Sequence, residues 1–261
     1  MNQNIIDEVK AIANEELLHR FSNVTRKHKL DGSFLTEADL AVQTRIQKLL
    51  KSTYPDISFL GEEMSEQEQQ SALHDNTGVW VLDPLDGTSN FSVGIPYYAV
   101  SLAYIKEGNI EWGMVFDPQR NECFTAIRGG GAFLNNEKLL LQDAGVAIDK
   151  STAVIDFKRL SSKLAARIAS EPPYSSQRSF GGVALDWCWL AANRYHLYLH
   201  GKQNIWDYAA GHLIFNEVGG CSCTLQGDAV FDFSLNTRSA VAALDQSLFA
   251  QWCEYLEIKI K

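Results

Sequence analysis

Ile5, Ile6, Val9, Ile12, Ala13, Leu17 and Phe21 recur at the three-and-four spacing of a helix face, so the chain opens on an amphipathic helix. Ala38, Val42, Ile46 and Leu49 mark a second helix, opened by Thr36-Glu-Ala-Asp39, which has the form of a capping box, and stopped at Tyr54-Pro55. The period then shortens. Ile57-Ser-Phe-Leu60 reads as a short strand ending at Gly61-Glu62-Glu63, and the apolar run 79–82 reads as a buried strand. Strands over 97–105 and 110–116 flank Lys106-Glu-Gly-Asn109, a hairpin signal. Asp117-Pro-Gln-Arg-Asn121 makes the next turn, and 122–127 and 132–134 continue the meander across Gly129-Gly-Gly131. The second half alternates: strand 153–157, helix 161–169, helix 183–192, strand 194–199, helix 206–218 closed by Gly219-Gly220, strand 241–244 and helix 246–256.

This order predicts an α+β chain. The change from meander to alternation near 140–152 divides it into an N-terminal lobe, 1–145, and a C-terminal α/β lobe, 146–261, packed as one compact unit because no flexible linker separates them. The 261 residues, 46% of them hydrophobic, suffice for a large core. A net charge of −9 without a long Lys/Arg cluster argues against nucleic acid as a main ligand. The five cysteines, Cys123, Cys188, Cys221, Cys223 and Cys253, contain no Cys-x-x-Cys pair and read as buried reduced thiols. No signal-peptide pattern and no apolar stretch of ~20 residues is visible, so a soluble cytoplasmic protein is expected, with no membrane partner.

The chemistry concentrates in Trp80-Val-Leu-Asp83-Pro-Leu-Asp86-Gly-Thr-Ser-Asn-Phe91. A buried strand delivers Asp83 and Asp86, and Pro84 between them fixes the backbone. Gly87 and Thr88 then open a turn whose N–H groups can receive an anion. Hard carboxylate ligands beside an anion cradle suit Mg2+-dependent phosphoryl transfer. Paired carboxylates in a turn are also common on solvated surfaces, so further residues are needed. Gly61-Glu62-Glu63 ends the preceding strand, which brings Glu62 to the sheet end that carries Asp83 if the two strands are neighbours. Asp207, in Trp206-Asp207-Tyr-Ala-Ala-Gly211, and Asp39 both fall at helix starts, where each serves equally well as a cap.

Together these segments resemble the inositol monophosphatase family of Mg2+-dependent, Li+-sensitive phosphatases, in order and spacing over nearly the whole chain. The resemblance implies a layered αβαβα sandwich and a phosphoric monoester hydrolase. It implies that Glu62, Asp83 and the Leu85 carbonyl hold one Mg2+, that Asp83, Asp86 and Asp207 hold a second, and that a third, weaker ion lies near Glu62. Thr88 and Asp39 become the pair that orients and deprotonates water, with Glu62 also in the catalytic set. Gly87, Thr88 and Ser89 receive phosphate, and a homodimer is the family's usual state.

Substrate choice is less fixed. The family's alcohol-recognition segment matches Arg178-Ser-Phe-Gly-Gly-Val-Ala-Leu-Asp186, with Gly181, Gly182 and Val183 at its centre, and Tyr198-Leu-His200. Asp207 closes the substrate-binding set. Inositol-preferring members usually carry Glu where this chain has His200, followed by Lys202. Histidine offers no pair of anionic oxygens. Inositol monophosphate remains the leading substrate; histidinol phosphate, 3′-phosphoadenosine-5′-phosphate and fructose 1,6-bisphosphate are the enzyme alternatives. A non-catalytic interaction protein on the same fold is the remote one. His200 as a plain strand-end residue also stays open. The other histidines, His19, His28, His74, His196 and His212, lack metal-ligand spacing, and Trp187 and Trp189 read as core. The resemblance makes Leu30-Asp-Gly-Ser33, preceded by Lys27 and Lys29, a loop that folds over the metals; a solvated basic loop is the alternative.

Overall fold

The computed structural model describes residues 3–21, 26–28, 34–73 and 78–261. In chain order the elements are α1 (Gln3–Ala13), β1 (Arg26–His28), β2 (Phe34–Thr36), α2 (Glu37–Thr53), β3 (Ser58–Gly61), α3 (Glu66–Leu73), β4 (Val79–Asp86) and α4 (Thr88–Val93). A meander follows: β5 (Ala99–Lys106), β6 (Asn109–Asp117), β7 (Glu122–Ile127), β8 (Gly131–Leu134) and β9 (Glu137–Lys138). The second half holds β10 (Thr152–Asp156), α5 (Ser162–Ser170), β11 (Ser176–Arg178), α6 (Val183–Ala191), β12 (Leu197–Gln203), α7 (Ile205–Glu217), β13 (Cys221–Cys223), β14 (Arg238–Ala243) and α8 (Gln246–Leu256).

Seven strands, β3 to β9, form one sheet in sequence order; β3 and β4 run parallel and the rest antiparallel. A second sheet has the order β11-β10-β12-β14-β13, with β10 parallel to both its neighbours. Alternation along the strands builds the layers. On β4, Trp80 and Leu82 pack under α1 and α2, whereas Val79 and Val81 face α6 and α7. On β12, Tyr198 faces that same helix pair, whereas Leu197 and Leu199 face α5 and α8. The helices α6 and α7 are therefore buried between two sheets. That is why their apolar residues run almost all the way round instead of forming one stripe. The result is the expected α+β sandwich with layers α, β, α, β, α.

Several boundaries differ from the periodicity. The first helix gives way after Ala13 to a π-helical turn, Asn14–Leu18, which keeps Leu17 buried. The strand expected over 194–199 runs instead over β12, because its last residues are polar and still pair with β14, Gln203 against Arg238, past an irregularity after His200. The small elements α3, α4 and β11 leave no apolar period to read. Cys123, Cys188, Cys223 and Cys253 are buried and Cys221 is half-buried, all as free thiols. Trp187 is fully buried against Tyr198, His212 and Phe215. Burial holds the His212 imidazole down to about 4, so it packs as a neutral ring. Among the described residues no helix is long and apolar enough to cross a membrane.

Candidate active site

Parallel pairing of β3 with β4 sets Gly61 beside Leu82, and the Glu62 N–H continues the ladder by donating to the Leu82 carbonyl at 3.1 Å. Glu62 thus leaves β3 at the sheet end where Asp83 sits. Two buried amides clamp the turn: the Gln69 Nε2 donates to the carbonyls of Gly61 and Glu62, and the Glu63 N–H donates to Gln43 Oε1. On the other side, Asp83 pairs with Ser101 of β5. The Ser101 hydroxyl donates to the Trp206 carbonyl at 3.1 Å and so ties the start of α7, with Asp207, to the same place. The ladder between β4 and β5 is irregular between Asp83 and Asp86, as expected around Pro84.

These contacts bring Glu62, Asp83, Leu85, Asp86, Gly87, Thr88, Ser89, Gly181, Gly182, Val183, His200 and Asp207 to the wall of one cavity of about 540 Å³. Asp39 does not line it. It is fully buried behind Thr88, whose Oγ1 lies 3.3 Å from Asp39 Oδ1 and 2.9 Å from the Leu85 carbonyl. Gly87 has φ of +88°, and a Cβ there would meet the Tyr97 carbonyl at 2.8 Å, so the turn into α4 requires glycine. The first N–H groups of α4 have no partner within the helix, which leaves them for a ligand or water.

The carboxylates are held by N–H groups and strained by one another. Asp83 Oδ1 accepts from Leu85 N. Asp86 Oδ1 accepts from Val183 N at 3.1 Å and Oδ2 from Ala184 N at 2.8 Å, which joins the first sheet to the start of α6. Asp207 Oδ2 accepts from Asn204 N at 2.7 Å and completes a capping box, so the capping role and the cavity-lining position coexist. Burial, then the charges of Glu62, Asp86 and Asp207, push Asp83 well above the usual carboxylate range. Burial and then Glu62 do the same to Asp207. Asp86 rises to about 7 through burial and the charges of Asp186 and Glu62, against the two N–H donors. Removing such repulsion is what a divalent cation does best.

The donor set fits Mg2+: hard oxygens only, with neither His nor Cys among them. Among the described residues no three His, Cys, Asp or Glu side chains stand clustered closely enough to hold an ion as placed. Each carboxylate oxygen bound to an N–H retains further acceptor capacity, so the set is compatible with a cation after side-chain adjustment.

Asn90, Ser179 and Asp186, from the segments that carry the resemblance, also line the cavity, as do residues the sequence did not single out: Asp156, Lys158, Arg159, Asn204 and Thr237. Asp156 stands at the end of β10 in register with His200 of β12. His200 Nε2 lies 3.2 Å from Asp156 Oδ2, and its Nδ1 accepts from Lys202 N at 3.2 Å. Both ring nitrogens are therefore engaged within the protein. Burial works to raise the Asp156 carboxyl, but the His200 and Arg159 contacts outweigh it and hold it below its usual range. Asp186 is buried, receives the Tyr97 hydroxyl at 2.8 Å, and is pushed up to about 8, chiefly by burial. Arg178 does not line the cavity; it turns back on Ser176 Oγ and the Gln177 carbonyl. The expected covering loop at 29–33 lies outside the described residues. No local signal marked Asp156, Lys158 and Arg159, because a strand end followed by two basic residues is ordinary surface composition.

A profile described as the inositol monophosphatase family matches residues 2–261. The chain belongs to that family. It is 33% identical over 239 residues to an inositol-1-monophosphatase of Caulobacter vibrioides, covering 89% of this chain and 90% of the relative. It is 34% identical over 203 residues to the Nus factor SuhB of Pasteurella multocida, covering 76% and 74%. The crystal structure of the extragenic suppressor protein suhB from Bartonella henselae matches with a TM-score of 0.84 at 27% identity, covering 98% of both chains. Inositol monophosphatase family membership supports a phosphatase.

Proposed function

We propose that this protein is a Mg2+-dependent phosphomonoesterase that hydrolyses small phosphorylated alcohols, with inositol monophosphate the leading substrate. The observation that carries this reading is the meeting of Glu62, Asp83, Asp86, Asp207 and Thr88 on one cavity wall. Half 1–145 supplies Glu62, Asp83 and Asp86, and half 146–261 completes the site with Asp207. Glu62, Asp83 and the Leu85 carbonyl are assigned to one ion and Asp83, Asp86 and Asp207 to a second. When bound, Mg2+ neutralises the ester's charge, acidifies water and stabilises the leaving oxygen. Thr88 and Asp39 orient the attacking water and hold its proton, and Glu62 shares in that task. The N–H groups of Gly87, Thr88 and Ser89 steady the phosphate. Gly181, Gly182, Val183 and Asp207 bound the alcohol, with His200 behind them. A homodimer in a membrane-free, cytoplasmic setting completes the proposal.

A second reading, a protein that uses this fold as an interaction surface, draws on the relative named a Nus factor. It predicts the loss of at least one assigned ligand, whereas all four carboxylates and Thr88 are present. Phosphate release over a panel of esters, with Mg2+ and with chelator, separates the readings; no release from any ester with Mg2+ ends the phosphatase reading.

Lithium offers a further check. Li+ resembles Mg2+ in size but carries half the charge, so at the Asp86–Asp207 position it occupies oxygen ligands without equal stabilisation of a leaving oxyanion. Millimolar-range Li+ is expected to inhibit uncompetitively with substrate, read from initial rates against NaCl controls. Equal rates in both salts would reject an exchangeable ion at that position.

A further inference from the structure

The part of the cavity lined by the second sheet differs in charge from the part lined by the four carboxylates. Lys158 and Arg159 lie in the turn Phe157–Arg159 that follows β10, and Lys202 lies two residues beyond His200 on β12. Gly201 brings them together: a Cβ there would overlap the Arg159 carbonyl, so the 157–159 turn rests directly on β12. No ion pair to a carboxylate of the described residues engages any of the three cations. In a chain with a net charge of −9, three unpaired cations on one cavity wall are a local reversal of sign.

Two acidic groups share this wall, and both are accounted for. Asp156 is bound by His200 Nε2, and Asp186 is buried against the Tyr97 hydroxyl. His200 has both ring nitrogens occupied. Lys158 and Lys202 stand without an ion pair among the described residues, and the Arg159 charge, although felt by Asp156 and Asp207, is not closed into one. We propose that these three residues form a second anion subsite, which lets the enzyme act, beside inositol monophosphate, on phosphate esters whose alcohol carries a second phosphate. This rests on the phosphatase reading above and adds the substrate class to it. The reacting phosphate lies at the turn of Gly87 and the carboxylates; the second phosphate lies against the cations, and the alcohol bridges them. Because the three side chains are exposed, each contact by itself is weak, and the preference comes from their sum and is screened by salt.

The test is the ratio of kcat/KM for fructose 1,6-bisphosphate to that for inositol 1-phosphate, both with saturating Mg2+. The triple variant Lys158→Gln, Arg159→Gln, Lys202→Gln keeps side-chain length and removes the charge. The ratio is expected to fall about tenfold in the variant, and to fall in the unaltered protein as NaCl is raised. Charge reversal by Arg159→Glu is expected to lower it further than Arg159→Gln does. A ratio unmoved by the substitutions and by salt overturns the subsite, as does an equal loss on both esters. Unaltered protein that hydrolyses neither ester refutes the phosphatase reading itself; one that hydrolyses inositol 1-phosphate with an indifferent ratio refutes only the subsite.

Discussion

Asp83→Asn is expected to abolish Mg2+-dependent phosphate release while leaving the protein folded. Asp83 is the carboxylate that feels Glu62, Asp86 and Asp207 alike, so it is placed to serve both proposed ions. Loss of the positive charge it anchors removes several kcal/mol of transition-state stabilisation, about three decades in rate. Asn keeps an acceptor oxygen for the Leu85 N–H, so the turn is preserved. It also removes one member of a buried, mutually repelling group. In chelator the variant should therefore melt at the same temperature as the unaltered protein or above it. The measurement is phosphate release against Mg2+ concentration, paired with thermal melts in EDTA. Retained activity, or full activity of the parent in EDTA, would defeat the assignment of Asp83.

Thr88→Ala should separate chemistry from ion binding. Its hydroxyl lies between the Leu85 carbonyl and Asp39 Oδ1 and carries no charge. Its removal is expected to lower kcat by about 10²–10⁴, the usual worth of a positioned acid–base group. Asp39→Asn should fall in the same range, because Asp39 meets the Thr88 hydroxyl behind the cavity wall. Mg2+ affinity, measured by calorimetry, should stay near the parent value in both variants. If extra Mg2+ restored kcat, the pair would belong to ion binding or to the fold.

How much of this was legible follows from where each residue's information lies. The strand through Val79 and Leu82 announced itself because it is buried on both faces, and Glu62 followed from one parallel neighbour. The π-turn after Ala13 and the helix Thr88–Val93 were invisible to periodicity. The first keeps the apolar spacing of a helix and the second is too short to show a period. The end of β12 was misplaced because its last residues serve a cavity and no longer obey apolar alternation. Asp156, Lys158 and Arg159 were missed for a related reason: their meaning comes from His200 and Lys202 on a neighbouring strand, which no local pattern encodes. His200 was recognised as unusual, but its two internal contacts became apparent only in three dimensions.

The two hydrogen bonds of Asp86 reach partners 97 and 98 residues further along the chain. A nascent chain that has emerged only as far as the meander carries Asp83 and Asp86 but neither those donors nor Asp207. Such a fragment presents a half-built, poorly balanced acidic pocket. On the proposed assignment, full cation affinity would be acquired late, when the C-terminal half docks, and the loaded protein would be one that has finished folding. The same long-range closure slows assembly, because distant segments must meet before either is rewarded.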